Sequence, residues 1–336
     1  MAYQFETVKL DKGMYRHAGM SFSQVLEQAD PSRQYKGTEM EGLDAFQRQL
    51  KRFDIKVKGA DSDCVEKFFR TADSAVLFPE YISRCVRQGM EEGNVLSHIT
   101  AAVTKIDGVD YRSVTAESGD HTQLRLVDEG AAIPSTTIRA QGNLIKLNKR
   151  GRMLVASYEA VRHQKLDLFS VTLRQMGAGI AAAQLEDAVN VLLYGDGNDN
   201  EAEVFSVAEA GVLTYADLVD FWAKFAPYEM NTLLVSDDVM VKLLKLPELQ
   251  NPSAGLNFQG TGKLITPLGA TLLRSSTLPE GTMIGLDKRY ALELVQGSGV
   301  SVEYDKLIDR QLERAAITVT TGYAKMFTKA SMVLEV

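Results

Sequence analysis

KLDLFSVTLRQMGAGIAAAQLEDAVNVLLYGDG, residues 165–197, is the most strongly patterned part of this sequence. Its apolar residues recur at intervals of three and four from Leu166 to Val191, which is the spacing of one face of an α-helix. A helix of about 28 residues rising 1.5 Å per residue is a rod roughly 40 Å long. The glycines at 195 and 197 are expected to end it, because glycine readily adopts the left-handed conformation found just beyond a helix C-terminus.

The segment before this helix predicts a long β-hairpin. Leu124 and Leu126 alternate with polar neighbours, residues 130–134 are turn-like, and residues 136–140 are rich in β-branched side chains. Apolar and basic residues then alternate over residues 145–155, as in a strand. A two-stranded hairpin with one thin apolar stripe is marginally stable alone in water. We therefore expect the hairpin to have partners elsewhere in this chain or in a neighbouring copy.

Residues 1 to about 70 are predicted to form an arm. They contain two short amphipathic segments, one beginning with a Ser21/Gln24 capping box and the other running from Leu43 to Phe53 at helical spacing. Each apolar stripe is too small to close a domain, so both segments are expected to need a surface supplied by something else.

The rest of the chain alternates short helical and extended patterns. Residues 74–79 are predicted to be extended and residues 81–90 helical, and residues 95–106 are predicted to contain a short strand. Residues 205–302 read as a compact mixed segment. Helices are predicted at 215–225 and 237–246, and strands at 231–235, 268–274, 283–287, 291–295, 300–304, 316–323 and 331–336.

Composition excludes several classes of protein. The 336 residues are 45% hydrophobic and 24% charged, which favours a soluble chain of two or three globular units. There is no apolar signal-peptide core and no run of about 20 apolar residues, so export and a membrane span are not indicated. The net charge of -7 argues against a protein that grips nucleic acid through many phosphates, although a container that surrounds DNA has no such requirement.

The residues that often form metal or disulfide sites are sparse here. The two cysteines, Cys64 and Cys85, are interpreted as reduced thiols, because two in 336 residues do not make a disulfide framework. The four histidines are scattered singly and there is no Cys/His cluster, so no zinc site is predicted.

One motif suggests a dinucleotide-dependent enzyme as an alternative. Gly177 and Gly179 fit the pattern GxGxxA, and Asp196 lies where a ribose-binding acid would be expected. That pattern requires a buried strand before the first glycine, yet the helical stripe runs through both glycines without changing its period. Two small residues in a packed helix explain the sequence better.

Three other patterns are weaker. Residues 260–263, GTGK, lack the spacing of a phosphate-binding loop and are interpreted as a surface loop. His163 with Asp167, and His121 with Glu117 and Asp120, form acid–base pairs on paper. No nucleophile or oxyanion-type loop accompanies these pairs, so no catalytic site is predicted.

The order of an arm, a long two-stranded loop, a long helix ending in GDG, a mixed segment and a return to strands resembles the Hong Kong 97 fold of tailed-phage major capsid proteins. VDEGAAIPSTTI, residues 127–138, resembles the loop tip of that family. Residues 150–198 resemble its loop return, its spine helix and the following turn. Residues 43–55 and 74–90 resemble phage capsids from low-GC Gram-positive hosts. The resemblance covers roughly residues 73–336.

The resemblance implies an α+β protein of the Hong Kong 97 type, with an N-terminal arm, an extended β-hairpin loop, a long spine helix, and peripheral and axial domains. We expect the arm to be retained and not cleaved. The implied boundaries are 1–72 for the arm, 73–118 for the first part of the peripheral domain, 119–160 for the extended loop, 161–203 for the spine helix, 204–302 for the axial domain and 303–336 for the last part of the peripheral domain.

The resemblance also implies a structural role without catalysis, cofactor or metal. Many copies would assemble into pentamers and hexamers that form an icosahedral shell around double-stranded DNA, with a portal and possible scaffolding or decoration proteins as partners. The expected location is the virion, after assembly in the bacterial cytoplasm, with no membrane contact. An encapsulin-type nanocompartment, which has the same fold but stores a cargo enzyme, is the alternative.

Charged residues of the loop are the predicted contacts between subunits. In some family members a lysine just before the loop-tip proline forms a covalent link, but Ile133 precedes Pro134 here, so that link is not expected. Lys146, Arg150 and Arg152 are expected to meet acidic groups on the adjacent subunit, although such a basic set also commonly guards an exposed strand edge. The candidate contact residues are Asp128, Glu129, Arg139, Lys146, Lys149, Arg150 and Arg152.

Overall fold

The computed structural model describes residues 4–17, 19–116, 126–127, 129, 138–250, 266 and 268–336. The chain forms two compact units, each assembled from three separate stretches of sequence. The first unit comprises residues 1–94, 149–181 and 299–319, and the second comprises residues 95–148, 182–298 and 320–336.

The long helix predicted at 165–194 is confirmed as Leu166–Tyr194. Its apolar stripe is buried, with Leu173 and Leu192 fully inaccessible to solvent. The helix ends at Gly195, which has a φ of +78° and donates its amide hydrogen to the carbonyl oxygen of Val191. A residue with a side chain rarely adopts that φ, so the glycine fixes where the helix stops.

Two glycines let this helix pack unusually close to the helix Phe78–Glu92. A Cβ placed on Gly177 would lie 2.1 Å from the carbonyl oxygen of Val86, and one on Gly89 would lie 2.0 Å from that of Arg174. Because the helix runs unbroken from residue 166 to residue 194, no strand leads into Gly177. The interpretation as small residues in a packed helix is confirmed for Gly177 and is wrong for Gly179, which is exposed.

Replacing Gly177 by alanine is expected to lower the free energy of unfolding by about 1–3 kcal/mol, because a methyl group there must push two helix backbones apart. Gly179 is the matched control. A Cβ at Gly179 meets no atom within 4 Å, so alanine there is expected to stabilise the helix by up to about 1 kcal/mol. Urea unfolding of the two variants measures both effects, and equal stabilities would contradict the close crossing.

The N-terminal segments form the predicted helices. The capping box of Ser21 and Gln24 begins the helix Phe22–Ala29, and a second capping box begins the helix Ala45–Arg52. Their apolar residues, including Leu26 and Phe46, lie in the same hydrophobic cluster as Ile82 and Leu173. The expectation that these stripes need a surface from outside residues 1–70 is therefore confirmed, and the same chain provides that surface.

A buried ion pair ties these N-terminal helices together. Arg48 Nε donates to Asp30 Oδ2 at 2.6 Å, and neither side chain is accessible to solvent. Arg48 also donates to Ser32 Oγ and to the carbonyl oxygen of Asp30, and its guanidinium lies 4.3 Å from the ring centroid of Tyr35. The hydroxyl of Tyr35 donates to Asp30 Oδ1. Such complete pairing offsets the cost of removing two charges from water.

The prediction that residues 74–79 are extended is wrong. Thr71 and Ser74 form a capping box that begins the short helix Ala72–Ala75, and the next helix begins at Phe78 with Pro79 in its first turn. Proline suits that position because its missing N–H would have no partner within the helix. The apolar run at residues 75–78 is typical of an extended segment, and the prediction did not include these helix-start signals.

A five-stranded mixed sheet forms the body of the second unit, in the order β5-β11-β8-β6-β7. β11 (Ser331–Glu335) lies between β5 (Glu203–Ser206), with which it is parallel, and β8 (Thr282–Leu286), with which it is antiparallel. β6 (Thr232–Val235) is buried along its whole length and pairs in parallel with β7 (Thr271–Arg274).

A four-stranded sheet has the order β1-β9-β10-β4, and its strands β9 and β10 contribute residues to both units. The two short strands predicted at 291–295 and 300–304 are one continuous strand, since the glycines between them do not interrupt the pairing. The strands of this sheet are β1 (Thr100–Lys105), β4 (Asn148–Ser157), β9 (Leu292–Leu307) and β10 (Leu312–Lys325).

The helices of the described residues, in chain order, are α1 (Gln4–Thr7), α2 (Phe22–Ala29), α3 (Ala45–Arg52), α4 (Ala72–Ala75), α5 (Phe78–Glu92), α6 (Tyr158–His163), α7 (Leu166–Tyr194), α8 (Tyr215–Ala223), α9 (Asp237–Lys245) and α10 (Pro247–Gln250). Two further strands, β2 (Val114–Ala116) and β3 (Ile138–Ala140), form a sheet of their own.

Candidate subunit-contact surface

A two-stranded hairpin, consisting of β2 and β3, belongs to neither larger sheet. Its antiparallel register places Val114 opposite Ala140 and Ala116 opposite Ile138. The return strand β4 is hydrogen-bonded to β10 as the edge strand of the four-stranded sheet. The prediction of one long hairpin through residue 155 is therefore wrong for its second half, because β4 pairs with β10 and not with the first leg of the hairpin. The expectation of a partner elsewhere in this chain is confirmed for β4.

One face of the hairpin carries exposed apolar side chains. Val114 and Ala140 are paired across the ladder, and Ile138 follows Ala140 on the same face because side chains alternate along a strand. Val114 is 50% exposed and Ile138 is 70% exposed. Between β2 and β3 in the sequence, Leu126 is fully exposed. Large exposed apolar groups clustered on one element often mark a site of protein–protein contact.

The hairpin root, formed by Tyr111, Ser113, Gln141, Asn143 and Ile145, is held rigidly. The Gln141 amide donates to the carbonyl oxygen of Ser113 at 2.8 Å, and the Ile145 amide donates to that of Tyr111 at 2.8 Å. Ile145 also packs in a small cluster with Val295 and Ala324. The two legs of the hairpin are thus joined to each other and to the core of the second unit.

The first leg of the root is fixed by a buried carboxylate, Glu293 of β9. Its oxygens accept hydrogen bonds from the hydroxyl groups of Thr104, Tyr111 and Ser113, and the contact from Tyr111 is 2.7 Å. Burial and the hydrogen bond to Glu293 raise the pKa of Tyr111. Three hydroxyl donors satisfy most of the acceptor capacity of a buried carboxylate.

The second leg is fixed by the turn that follows α7. The Asn143 amide donates to Asn198 Oδ1 at 2.7 Å, and the Asn143 side chain donates to the carbonyl oxygen of Gly197 at 2.6 Å. Asp196 Oδ2 accepts the backbone N–H of Lys325 at 2.8 Å, and Gln141 donates to the carbonyl oxygen of Lys325. The GDG turn therefore ends the long helix and also anchors the hairpin.

Lys325 is a charged group in a buried position at this anchor. Its Nζ donates to the carbonyl oxygen of Leu192 in the last turn of α7, at 3.4 Å, where the helix dipole favours a cation. Burial lowers the pKa of Lys325 to about 8, and the nearby carboxylate of Asp196 partly opposes that shift. The anchor thus combines a cation, a carboxylate and a helix terminus.

The predicted contact residues that the structure describes lie on several different segments of the chain. Asp128 lies outside the described residues, and Glu129 is exposed. Arg139 is exposed on β3, and Lys146 is exposed between β3 and β4. The remaining three lie on β4, where Lys149 and Arg152 are exposed and Arg150 is half-buried.

β4 also presents an apolar outer face. Leu154 and Ala156 point inward and pack against the core of the first unit, whereas Met153 and Val155 alternate with them and are about half exposed. An edge strand with exposed apolar side chains is a surface on which another chain can bind. The sequence predicted a contact only for the basic residues of this strand.

The described part of the chain contains no grouping of three His, Cys, Asp or Glu side chains that could hold a metal ion. Over the same residues, no helix is both long enough and apolar enough to cross a bilayer. His163 and Asp167 are exposed, whereas Glu117, Asp120, His121 and residues 260–263 lie outside the described ranges. Both cysteines are free thiols.

Solved structures similar to this chain are shell proteins with the Hong Kong 97 fold. A virus-like particle protein from Pyrococcus furiosus has a TM-score of 0.53 at 14% identity, with 76% of this chain and 98% of that chain covered. A structure from Microbacterium phage Oxtober96 has a TM-score of 0.52 at 10% identity, with 72% of this chain and 91% of that chain covered. An encapsulin complex from Synechococcus elongatus has a TM-score of 0.50 at 15% identity, with 71% of this chain and 86% of that chain covered.

The fold is therefore that of a shell-building protein of the Hong Kong 97 type, as predicted. The sequence profile of a family described as phage capsid protein matches residues 142–324, more than half of the chain. This chain belongs to that family: it is a capsid subunit, it assembles with copies of itself, and its place is the virion. No curated protein matches the chain.

Proposed function

We propose that this chain is the repeating subunit of a tailed-phage head and that its copies form pentamers and hexamers around double-stranded DNA. The observation that carries this proposal is the exposed apolar face of the hairpin on a rigid root. A rigid element that leaves Val114 and Ile138 in water is costly for a solitary molecule, and the cost is removed when a neighbouring copy covers that face.

Copies in such a ring meet head to tail, so the hairpin of one copy binds a different surface of the next. Contacts of this kind close into a ring when the rotation between copies divides a full turn. Each copy supplies one hairpin and receives one, so no hairpin face is left in water. Many modest contacts of this type add up to a stable shell.

The proposed domains follow the order of the sequence. Residues 1–72 would serve as the arm, residues 119–160 as the extended loop and residues 204–302 as the axial domain near the capsomer centre. The peripheral domain would consist of residues 73–118, 161–203 and 303–336. The same proposal includes assembly in the host cytoplasm and the lack of catalysis. It also includes a portal and possible scaffolding or decoration proteins as partners.

The proposal is tested by measuring the assembly state of the purified protein. Electron microscopy and sedimentation are expected to find closed shells of many copies, and expression during phage growth is expected to give shells that contain DNA. Shells that instead retain a cargo enzyme would favour the encapsulin alternative. A chain that stays monomeric under all assembly conditions would overturn the proposal.

Reversing the charges of Lys146, Arg150 and Arg152 to glutamate is expected to reduce the yield of shells at least tenfold. The proposed acidic partners on the adjacent subunit would then face like charges, which repel at short range. A control that reverses Lys36, Lys51 and Lys58, three exposed lysines outside the hairpin and β4, changes the net charge equally. Equal shell yields for the two variants, measured by sedimentation, would remove these three residues from the contact.

A further inference from the structure

The first unit contains a groove of about 490 Å³ that the proposed function has not used. Its lining includes the exposed cations Lys12, Arg16 and Arg70, here called the rim, and Val302 with the neighbouring residues of β9. Two aromatic lining residues, Phe69 and Tyr304, are here called the floor, and their rings stack with centroids 5.8 Å apart. Pockets that bind ligands span roughly 300–1,000 Å³, so the groove is large enough to hold several side chains.

The groove is preorganised. The hydroxyl of Tyr15, which lines it, donates to the carbonyl oxygen of Val76 at 2.7 Å and accepts the amide hydrogen of Glu80 at 3.1 Å. The ring of Tyr15 stacks on Phe22 with centroids 4.4 Å apart. These contacts join the lining to the start of α5 and to α2, so the groove does not have to form when a partner binds.

The rim of the groove is cationic. Lys12, Arg16 and Arg70 are exposed, and the ion pairs found among the described residues include none of them. Among the described lining residues the one acid is Glu303, which is exposed. An apolar floor beneath a rim of net positive charge suits a peptide in which apolar side chains stand next to acidic ones.

Residues 126–129, which lie between β2 and β3 in the sequence, have this chemistry. Leu126 is fully exposed and Val127 is 41% exposed, and both are directly followed by the acidic residues Asp128 and Glu129. We propose that residues 126–129 of a second copy bind in this groove, with Leu126 and Val127 on the aromatic floor and the two carboxylates at the cationic rim. This inference rests on the proposed function and names the surface that receives the loop.

Disulfide trapping tests the inference directly. Glu129→Cys is combined with Ala72→Cys, an exposed groove residue, in a Cys64→Ser background that leaves only the buried Cys85 as a native thiol. Assembled shells are expected to give a ladder of covalent multimers on a non-reducing gel. The control pairs Glu129→Cys with Ser301→Cys, whose side chain alternates with that of Val302 along β9.

The control is expected to give at least tenfold fewer multimers. Shells that show no ladder, or equal ladders for both pairs, overturn the groove as the receiving site. A disulfide that forms only within one chain overturns the assignment to a second copy. Wild-type protein that forms no shells at all contradicts the proposed function itself. Failure of the proposed function can therefore be distinguished from failure of the groove assignment.

Charge exchange gives an independent measurement. A groove variant that combines Lys12→Glu, Arg16→Glu and Arg70→Glu is expected to lower shell yield at least tenfold. A loop variant that combines Asp128→Lys and Glu129→Lys is expected to lower it equally. Combining both sets restores the attraction and is expected to recover most of the yield. A wild-type yield of shells from the groove variant would overturn the inference. Shells that form in normal yield but retain less DNA would also overturn it, because the groove would then be a nucleic-acid contact.

Discussion

Replacing Arg48 by alanine is expected to lower the free energy of unfolding by about 3–5 kcal/mol. The substitution leaves the Asp30 carboxylate buried without its cation, and removing one member of a buried pair costs more than the pair itself contributes. It also removes the donors to Ser32 and to the carbonyl oxygen of Leu43. Urea unfolding of the unassembled subunit, followed by circular dichroism, measures the loss.

Arg33 provides the matched control, because it lies on the same N-terminal segment and is exposed. Alanine at Arg33 is expected to change stability by less than about 0.5 kcal/mol, as is usual for surface substitutions. Limited proteolysis adds a second readout, since the Arg48 variant is expected to be cleaved within residues 1–72 first. A loss below about 1 kcal/mol for the Arg48 variant would mean that the N-terminal helices are held mainly by apolar packing.

Placing aspartate at both Val114 and Ile138 is expected to reduce shell yield at least a hundredfold while leaving the subunit folded. Burying an aliphatic side chain of this size stabilises a contact by about 1.5–3 kcal/mol, and the two residues together account for about 3–6 kcal/mol for each contact between copies. A carboxylate at either position must also be desolvated when the contact forms. Sedimentation and electron microscopy report the yield.

Because both side chains are exposed in the single subunit, its unfolding in urea is expected to change little. Aspartate at Val212, an exposed valine outside the hairpin, serves as the control for an added surface charge. Threonine at Val114 and Ile138 keeps the branched shape and is expected to give an intermediate yield. Normal shells from the double aspartate variant would show that the apolar face is not covered during assembly.

The regular elements were largely predictable because their signals are local. The stripe from Leu166 to Val191 spans about seven helical turns, and the capping box at Ser21 lies within four residues. The start of α5 was missed because its cue is Pro79 at the helix N-terminus, and residue 79 was included in the segment predicted to be extended. The continuity of β9 was missed because the glycine-containing residues 296–299 were interpreted as a gap between two short strands, whereas the strand continues through them from Leu292 to Leu307.

The candidate site was less predictable because it depends on contacts between residues far apart in the sequence. Glu293 is separated from Ser113 by 180 residues, and Lys325 is separated from Asp196 by 129. A usable signal was nevertheless present, since Glu293 in ALELV and Lys325 in GYAKMF are charged residues within apolar strand sequences. Buried charges need partners, so such positions point to a network even when its members cannot be named.

The division of the chain has a consequence for its synthesis on the ribosome. The first unit lacks part of its core until residue 319 has been translated, and β5 is hydrogen-bonded only to β11, at residues 331–335, among the described strands. At about 5–20 residues per second, roughly 10–45 s separate the translation of residue 94 from that of residue 319. A polypeptide that terminates before residue 319 therefore leaves both units unfinished.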